Sequence, residues 1–495
     1  MSGYCFDCPF NPDHCNLKNC LSIDGHPRLV VVTNGKTPGP SIEVCRGDTI
    51  RVKVVNQLVD HGGLSIHWHG PHQVGTNWMD GVSMITQCPI PHATSFVYEF
   101  LAQPAGTHWW HAHSGFYRVD GMYGPLVVRK ARENEKIAEF YDFDLSEHVM
   151  IVSDWTPYVG LQTYLAQTTA STLPPITQQT ILINGRGRGR EFTDDEGNVF
   201  YTPRSVFHVV SGFSYRFRII SSAIAACNIQ VSIDGHLMLI IATDGSEIKP
   251  VSVNSFIMAS GERYDFVVYA SAVPASYLIR MTGLSTGCSY TGNALLCYGE
   301  APCGEPTSKP LILPTPHRLF SSFPKEHYIN TMPTYDVLNL LDTQALEEIY
   351  EDLETVNSTH YVTFSFVLKT VYEEGTTGNS FTVSVPKLNN VGFLFPSTPV
   401  LLQRPNDICE PHLNNTLMEE CNITDCYCTH ILKLKLGEVV ELVIPNLSRN
   451  LVLDHPAHIH GQAVHIVGMG VFDGVPRTLE EVKQLDEEGK MLANL

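Results

Sequence analysis

The sequence has 495 residues, of which 43% are hydrophobic and 17% charged, and its formal net charge is −19. This length predicts about three domains, and the composition excludes a disordered chain. The acidic charge argues against nucleic acid or an anionic membrane as a partner. The longest apolar stretches, such as 237–242, are far shorter than the roughly 18 residues of a transmembrane helix.

Cysteines crowd the amino end of the chain. Of the 14 cysteines, four lie in the first twenty residues: Cys5, Cys8, Cys15 and Cys20. We interpret them as disulfide partners, with a small zinc site around Cys5 and Cys8 as the alternative. Four Asn-x-Ser/Thr sequons also indicate a secreted protein, at Asn357, Asn414, Asn422 and Asn446. Residues 1–20 do not resemble a signal peptide, so we expect that Met1 is not the natural start or that the product is truncated.

Alternation of apolar and polar residues recurs along the chain and predicts strands, as in residues 41–56. A unit of strand, glycine turn and strand occurs three times, around Gly47, Gly212 and Gly437. Such a repeat predicts three related Greek-key β-sandwiches. We therefore expect a mostly β fold.

The predicted organisation is a cysteine-rich segment followed by three sandwich domains. The expected ranges are 1–25 for the segment and 26–132, 133–308 and 309–495 for the domains. Prolines between 302 and 316 mark the last boundary. Helical signals are few: apolar residues at helical spacing in 343–355, and a capping box formed by Thr478 and Glu481.

Histidines are clustered far beyond chance. The 22 histidines form three His-x-His pairs, whereas random placement predicts about one. Residues i and i+2 of a strand share a face, so each pair can present two imidazoles to a metal such as copper, zinc, iron or nickel. Three pairs predict more than one metal ion. We interpret isolated histidines, such as His26 and His148, as ordinary core or surface residues.

Four strings carry a family resemblance. They are HWHG at 67–70, WMDG at 78–81, GTHWWHAHSG at 106–115 and HPAHIHG at 455–461. These strings resemble the first three copper-binding motifs of the multicopper oxidases. The residues that flank them, and the cysteine-rich amino end, are similar to the insect laccase branch of that family.

The resemblance implies three cupredoxin-like domains, the middle one without copper ligands. It implies that electrons pass one at a time from a phenol or diphenol through a type 1 copper to a trinuclear copper cluster, which reduces dioxygen to water. The implied ligands are His67 and His458 for the type 2 copper, His69 with His111 and His113 with His460 for the two type 3 coppers, and His455 for the type 1 copper. Asp80 would orient water and supply protons beside the type 2 copper; its alternative interpretation is a turn residue before Gly81.

The fourth motif of the family, a His-Cys-His string, does not occur after His465 in this sequence. The resemblance therefore implies fewer copper ions than the four of the complete family, and an incomplete third domain with an unpaired strand edge. An alternative function is a secreted copper-binding isoform with impaired or no catalysis. Ferroxidase or ascorbate oxidase specificity is another alternative. A zinc hydrolase is a third, although the sequence has no H-E-x-x-H motif.

Overall fold

The computed structural model describes all residues except 1–4, 61, 169–178, 225–227, 285–287, 289, 306–333, 339, 348–354, 373–379, 404–407, 410–425, 449–454, 471–477 and 490–495. The described residues form a mostly β structure, which confirms the predicted fold class. Helices are short and few within these residues. No helix among them is long and apolar enough to span a membrane.

The strands follow one another from residue 42 to residue 443. In the amino-terminal part they are β1 (Ile42–Cys45), β2 (Thr49–Val55), β3 (Ile66–His69), β4 (Ser95–Leu101), β5 (Gly106–Ala112) and β6 (Tyr123–Arg129). The middle part contains β7 (Phe143–Trp155), β8 (Thr180–Ile183), β9 (Phe192–Thr193), β10 (Val199–Phe200), β11 (Val206–Val209), β12 (Ser214–Ser221), β13 (Ile229–Ile233), β14 (Met238–Thr243), β15 (Ser246–Met258), β16 (Arg263–Tyr269), β17 (Ser276–Gly283) and β18 (Thr291–Tyr298). The remaining strands are β19 (Thr334–Leu338), β20 (Ser358–Tyr361), β21 (Phe364–Tyr372), β22 (Ser380–Leu388), β23 (Ile408–Cys409), β24 (Thr429–His430) and β25 (Val440–Val443).

The helical elements lie at the periphery. The α-helices are α1 (Gly160–Thr168) and α2 (Leu479–Glu487), and the 3-10 helices are Pro12–Asn16, Asn77–Met79, Arg132–Asn134, Ala138–Phe140 and Leu340–Asp342. The capping box is present as predicted, because the Thr478 side chain accepts from the Glu481 backbone N–H and the Glu481 side chain accepts from the Thr478 backbone N–H. Most of the helix predicted in 343–355 lies outside the described residues.

The amino-terminal strands form two sheets, one in the order β1-β6-β5-β3 and one of β2 with β4. Gly47 lies between β1 and β2 at φ +96°, a backbone conformation that glycine adopts without strain. Since β1 and β2 belong to different sheets, this turn carries the chain across the sandwich and does not close a hairpin. Trp68, Tyr98, Phe100 and Leu126 fill the core between the sheets.

The middle strands form one large sheet in the order β11-β18-β17-β13-β15-β14-β16-β12-β7-β8. Its core is apolar and contains several aromatic residues, with Phe217, Phe256 and Phe266 fully buried. β19 adds to this sheet by pairing in parallel with β15. Residues after the expected boundary at 308 thus pack with the middle strands, and the domain boundaries remain predictions.

The third strand–glycine–strand unit is only half formed. β25 follows Gly437, but residues 431–436 before it are not a strand, although their alternating Leu and Lys residues predict one. Leu434 and Leu436 are exposed, so the apolar side of this segment gains no burial that would hold it in a sheet. Residues 455–470 also form no strand, and Val464 and Val467 on this segment are exposed.

Buried charges join the first sheet to the middle sheet. Arg218 Nη1 on β12 donates to Thr107 Oγ1 on β5 at 2.7 Å and to Asp265 at 3.1 Å. Thr107 Oγ1 in turn donates to Asp265 Oδ1 at 2.6 Å, and Arg216 Nε donates to the same carboxylate at 3.1 Å. These side chains are almost fully buried, and a buried charge is tolerated only when it is paired in this way.

Disulfides close the cysteine-rich amino end. The pairs are Cys5–Cys20 and Cys8–Cys15, so the disulfide interpretation is confirmed and the zinc alternative is wrong, because these thiols are no longer available to a metal. Another disulfide joins Cys297 to Cys303. Cys426 and Cys428 are also disulfide-bonded, whereas the side chains of Cys409 and Cys421 lie outside the described residues.

Candidate metal centre

The register of two neighbouring strands builds the first half of the site. β3 and β5 are antiparallel, and His67 lies directly opposite His111 in their register. Directly opposed residues point to the same face, and so do residues two apart on one strand. His67, His69 and His111 therefore share one face of the sheet, and all three are buried. His113 follows β5 with the same spacing, and its ring centroid is 5.5 Å from that of His67.

The third histidine string supplies the second half of the site. His458 Nε2 lies 3.4 Å from His67 Nε2, although the two residues are 391 positions apart in the chain. The His458 ring stacks on His69 with centroids 3.8 Å apart, and the His460 ring stacks on His67 at the same distance. The structure thus brings six of the seven predicted ligands together.

The six histidines contain two groups with the spacing of a metal site. One group is His67, His69 and His111, and the other is His67, His458 and His460. Within each group the ligand nitrogens lie within 4.8 Å of one another. His67 belongs to both groups, so it is the centre of the arrangement. The His113 ring lies beside the second group, 5.2 Å from the ring of His460.

Asp80 holds two of these imidazoles by their Nδ1 atoms. His67 Nδ1 donates to the backbone carbonyl of Asp80 at 2.8 Å, and His460 Nδ1 donates to Asp80 Oδ2 at 2.7 Å. His111 Nδ1 donates to the Ala112 carbonyl at 2.9 Å. With Nδ1 occupied in this way, Nε2 of each ring is left to bind a metal. The Asp80 carboxylate is therefore more than a turn residue, because it contacts both halves of the site.

A close backbone contact fixes the loop that carries Asp80. Gly81 has φ +85°, and a Cβ added there would lie 1.8 Å from the carbonyl oxygen of Ile66 on β3. Only glycine allows this approach. The loop therefore packs directly against the strand that carries His67, which accounts for the position of the preceding carboxylate.

Burial keeps the imidazoles neutral. It lowers the pKa of His67, and it lowers the pKa of His69 and His111 well below the ordinary value. Desolvation and the neighbouring histidines lower the pKa of His113, which is half-buried, to about 3. They also lower the pKa of His458 to about 2, because its ring packs against His69 although the residue as a whole is exposed. Neutral imidazoles are the form that binds copper, zinc or iron, so the donor set fits a transition metal before any metal is added.

Asp80 is ionised in this setting. Burial by itself would raise the pKa of its carboxyl group, but hydrogen bonds from His460 and His67 outweigh burial and hold the pKa well below its ordinary value. The carboxylate provides negative charge beside the imidazoles, as is common for groups that support metal ligands. Its Oδ1 atom lies 3.3 Å from His67 Nδ1, and its Oδ2 atom accepts from His460.

His455 is the predicted ligand that the structure keeps apart from the other six. It is exposed, and its Nδ1 donates to the carbonyl of Pro456 at 2.9 Å. Its ring packs against Phe364 and Phe366, with centroid distances of 5.2 and 6.5 Å. His455 therefore lies apart from the six-histidine group.

The sequence did not reveal that the middle strands also reach the site. The turn between β15 and β16 brings Gly261 against the ring of His69, because a Cβ added to Gly261 would lie 3.2 Å from His69 Cε1. A contact made by backbone leaves no side-chain pattern to detect, and the only signal is the glycine itself.

Comparisons with known proteins agree with this geometry. Three family profiles, each described as multicopper oxidase, match residues 15–133, 146–301 and 395–488. A laccase of Pycnoporus cinnabarinus is 30% identical over 454 residues, which cover 90% of this chain and 76% of that protein. A laccase of Trametes maxima is 38% identical over 296 residues, which cover 58% of this chain and 55% of that protein. The chain thus spans about half the length of the first curated relatives that it matches.

Solved structures show the same fold. The laccase of Botrytis aclada superimposes with a TM-score of 0.63 at 24% identity, over 88% of this chain and 71% of that one. Fet3p, a multicopper oxidase that functions in iron import, gives a TM-score of 0.60 at 20% identity, over 86% and 71% of the two chains. At these identities the likeness concerns the fold alone.

Proposed function

The chain belongs to the multicopper oxidase family, and we propose that it is a laccase-like member that binds copper at the six-histidine centre. One observation carries the proposal: histidines from both ends of the chain converge on His67 and on a single carboxylate, Asp80. Five of the six donors have lowered pKa values and are neutral imidazoles, which suit copper. The segments 80–90 and 118–128 and the cysteine-rich amino end further support a place in the insect laccase branch.

Copper bound at this centre would accept electrons one at a time, ultimately from a phenol or diphenol, and transfer them to dioxygen, which is reduced to water. The residues of the chain hold and orient the site. Asp80 fixes the rings of His67 and His460, and its ionised carboxylate lies beside both rings, with Oδ1 3.3 Å from His67 Nδ1, where it can orient a water or accept a proton. Burial of the first three histidines excludes bulk water from that side.

The ligand pairs of the family are proposed here as follows: His67 and His458 for the type 2 copper, His69 with His111 and His113 with His460 for the two type 3 coppers, and His455 for the type 1 copper. The first pair is supported by the 3.4 Å between its Nε2 atoms, and the pair of His113 and His460 by ring centroids 5.2 Å apart. The pair of His69 and His111 is supported by their place in one histidine group, whose ligand nitrogens lie within 4.8 Å of one another.

A second candidate is a copper-binding protein without oxidase turnover. It is favoured by the setting of His455, the proposed type 1 ligand, which is exposed and packs against Phe364 and Phe366, apart from the other six histidines. Donor specificity for ferrous iron or ascorbate is a further possibility within the first candidate.

Copper content, the visible spectrum and oxygen uptake with a diphenol test both candidates together. Oxygen uptake with an intense blue band supports the oxidase. Tightly bound copper without the band and without uptake supports the second candidate. Failure to retain copper after dialysis would contradict both. Replacing the diphenol with ferrous iron or ascorbate in the uptake assay determines the donor class.

We also propose an extracellular location. The disulfides Cys5–Cys20 and Cys8–Cys15 persist in oxidising compartments, and the sequon residues Asn357 and Asn446 are exposed. Mass spectrometry of the protein secreted by a eukaryotic host, before and after removal of N-glycans, tests this proposal. Unmodified sequons throughout and retention inside the cell would contradict it.

A further inference from the structure

The middle strands contribute a turn to the histidine centre. We call residues 259–262, between β15 and β16, the positioning turn. Gly261 in this turn has φ +88°, and a Cβ added to it would lie 3.2 Å from His69 Cε1 and 3.7 Å from His69 Nε2. The backbone of Gly261 is therefore in contact with the edge of the imidazole that carries a candidate ligand atom.

Two hydrogen bonds fix the positioning turn, one within it and one to β12. Glu262 accepts from the Ala259 backbone N–H at 2.6 Å through Oε2. The Gly261 N–H donates to the carbonyl of Ser221, at the end of β12, at 2.9 Å. These two bonds fix the conformation of the turn and attach it to the middle sheet.

A half-buried arginine of the amino-terminal part contacts the other side of the turn. Arg118 Nη2 donates to Ser260 Oγ and to the Ala223 carbonyl, both at 2.9 Å. Ser260 Oγ donates to the same carbonyl. The guanidinium lies over the ring of Trp109, 4.7 Å from its centroid. Since Trp109 is opposite His69 in the strand register, the arginine joins the turn to the strands that carry the ligands.

Two further contacts bring the middle strands against β5. Arg263, which follows the turn, donates from Nε to the Thr107 carbonyl at 3.0 Å. A Cβ added to Gly245 would lie 2.9 Å from Cε1 of His108. The approach of the middle sheet to the ligand strands is thus continuous from residue 106 to residue 109.

We propose that the positioning turn holds the His69 ring in its metal-binding orientation, so that Gly261, Ser260 and Arg118 are positioning residues of the centre. The ring already has His458 stacked on it at 3.8 Å and Trp109 at 5.0 Å, and Gly261 lies beside its Cε1–Nε2 edge. A domain without ligands thereby takes part in the metal site. The proposal rests on the proposed function only in naming copper as the metal.

A matched pair of glycine substitutions tests the proposal. Gly261→Ala and Gly212→Ala impose the same backbone strain, since the two φ angles are +88° and +87°, but a Cβ at Gly212 meets nothing within 4 Å. The first readout uses metal-free protein: NMR of histidines labelled at 13Cε1, with the His69 signal assigned from His69→Gln. We expect Gly261→Ala to move the His69 signal more than any other, and Gly212→Ala to leave it in place.

Copper titration is the second readout. We expect Gly261→Ala to weaken copper binding by about 10–100-fold, as loss of a supporting contact does in other metal sites, with no change for Gly212→Ala. Ser260→Ala removes one of the two acceptors of Arg118 without adding backbone strain. We expect it to change the His69 signal and the copper affinity in the same direction but by less. It replaces Gly261→Ala as the test variant if Gly261→Ala does not fold. The proposal would be overturned if the His69 signal were the same in the Gly261 and Gly212 variants. If Gly261→Ala does not fold, an unmoved His69 signal in Ser260→Ala would overturn it. Failure of the unsubstituted protein to bind copper would overturn the proposed function alone.

Discussion

His67 and His458 face each other across 3.4 Å, yet they are held by different means. His67 is buried on β3, and the ladder with β5 fixes its position. His458 is exposed on residues 455–470, which form no strand. The first half of the centre is therefore built by the sheet before any metal binds. The second half is held mainly by contacts with the first half and with Asp80, so we expect it to depend on the metal for its order.

Removal of the shared ligand gives the largest expected effect. His67→Gln takes one donor from both groups of histidines, whereas His458→Gln takes a donor from one. We expect His67→Gln to abolish retention of copper at the centre and His458→Gln to reduce it. Atomic absorption after dialysis measures the copper retained by each chain. Equal losses in the two variants would show that the halves are not organised around His67.

A pair of isoleucines next to the ligands sharpens the comparison of the two halves. Ile66 precedes His67 and is 4% exposed, and Ile459 lies between His458 and His460 and is 37% exposed. We expect Ile66→Ala to lower the free energy of unfolding by about 2–5 kcal/mol. Ile459→Ala changes it by less than about 0.5 kcal/mol. Urea denaturation of metal-free protein measures both. A large cost at Ile459 would mean that the second half is packed independently of metal.

Asp80 connects the two halves, and its charge can be removed without changing its size. We expect Asp80→Asn to weaken copper binding by about 10–100-fold, because the ring of His460 loses an ionised acceptor. Asp195→Asn, at an exposed position, is the control and leaves the affinity unchanged. Competition with a copper chelator measures both affinities. An unchanged affinity in Asp80→Asn would mean that packing alone orients the rings.

Glu262 in the positioning turn should make the stability of the protein depend on pH. Burial, followed by the charge of Asp244, raises the pKa of Glu262 to about 7. The folded state then holds a proton that the unfolded state has released, so stability falls as pH rises from about 4.5 to 7. We expect a fall of about 1–2 kcal/mol from this group, allowing for partial exposure. Urea denaturation across this range should show a flatter profile for Glu262→Gln, and an unchanged profile would refute the assignment.

His455 gives the smallest expected effect on the centre. Its ring contacts Phe364 and Phe366 and lies outside both histidine groups. His455→Ala should therefore leave the copper affinity of the centre unchanged, while His460→Ala, in the same string, lowers it. The same chelator competition compares the two variants. A loss of affinity in His455→Ala would show that the exposed string moves as one unit.

Sequence spacing predicted part of the site for a clear physical reason. Residues that are two positions apart on a strand share a face, so His67 and His69 could be predicted to act together. The register that places His67 opposite His111 could not be predicted. Neighbouring strands can pair in several registers, and only the packed core selects one of them. The approach of His458 and His460 followed from the family resemblance rather than from spacing.

The errors in the fold prediction also have physical causes. Alternation of Leu and Lys in 432–436 predicted a strand, but Leu434 and Leu436 are exposed. An alternating pattern does not stabilise a strand when its apolar side chains are not buried. β19 is five residues long and pairs with a strand that ends 76 positions earlier in sequence, at Met258, which no local pattern reveals. The contribution of Gly261 was missed because it is made by backbone alone.

The buried charges between the first and middle sheets limit how this protein could be recombined. Arg218 and Asp265 belong to the middle sheet, while Thr107, their shared partner, lies on the strand that carries His111. A chimera that exchanged the middle sandwich for that of a relative would bury these groups against new neighbours. Such an exchange would have to transfer the arginine, the carboxylate and the turn at Gly261 together. The two regions are separate segments of the sequence, but they share one set of buried charges. They would therefore have to be exchanged together.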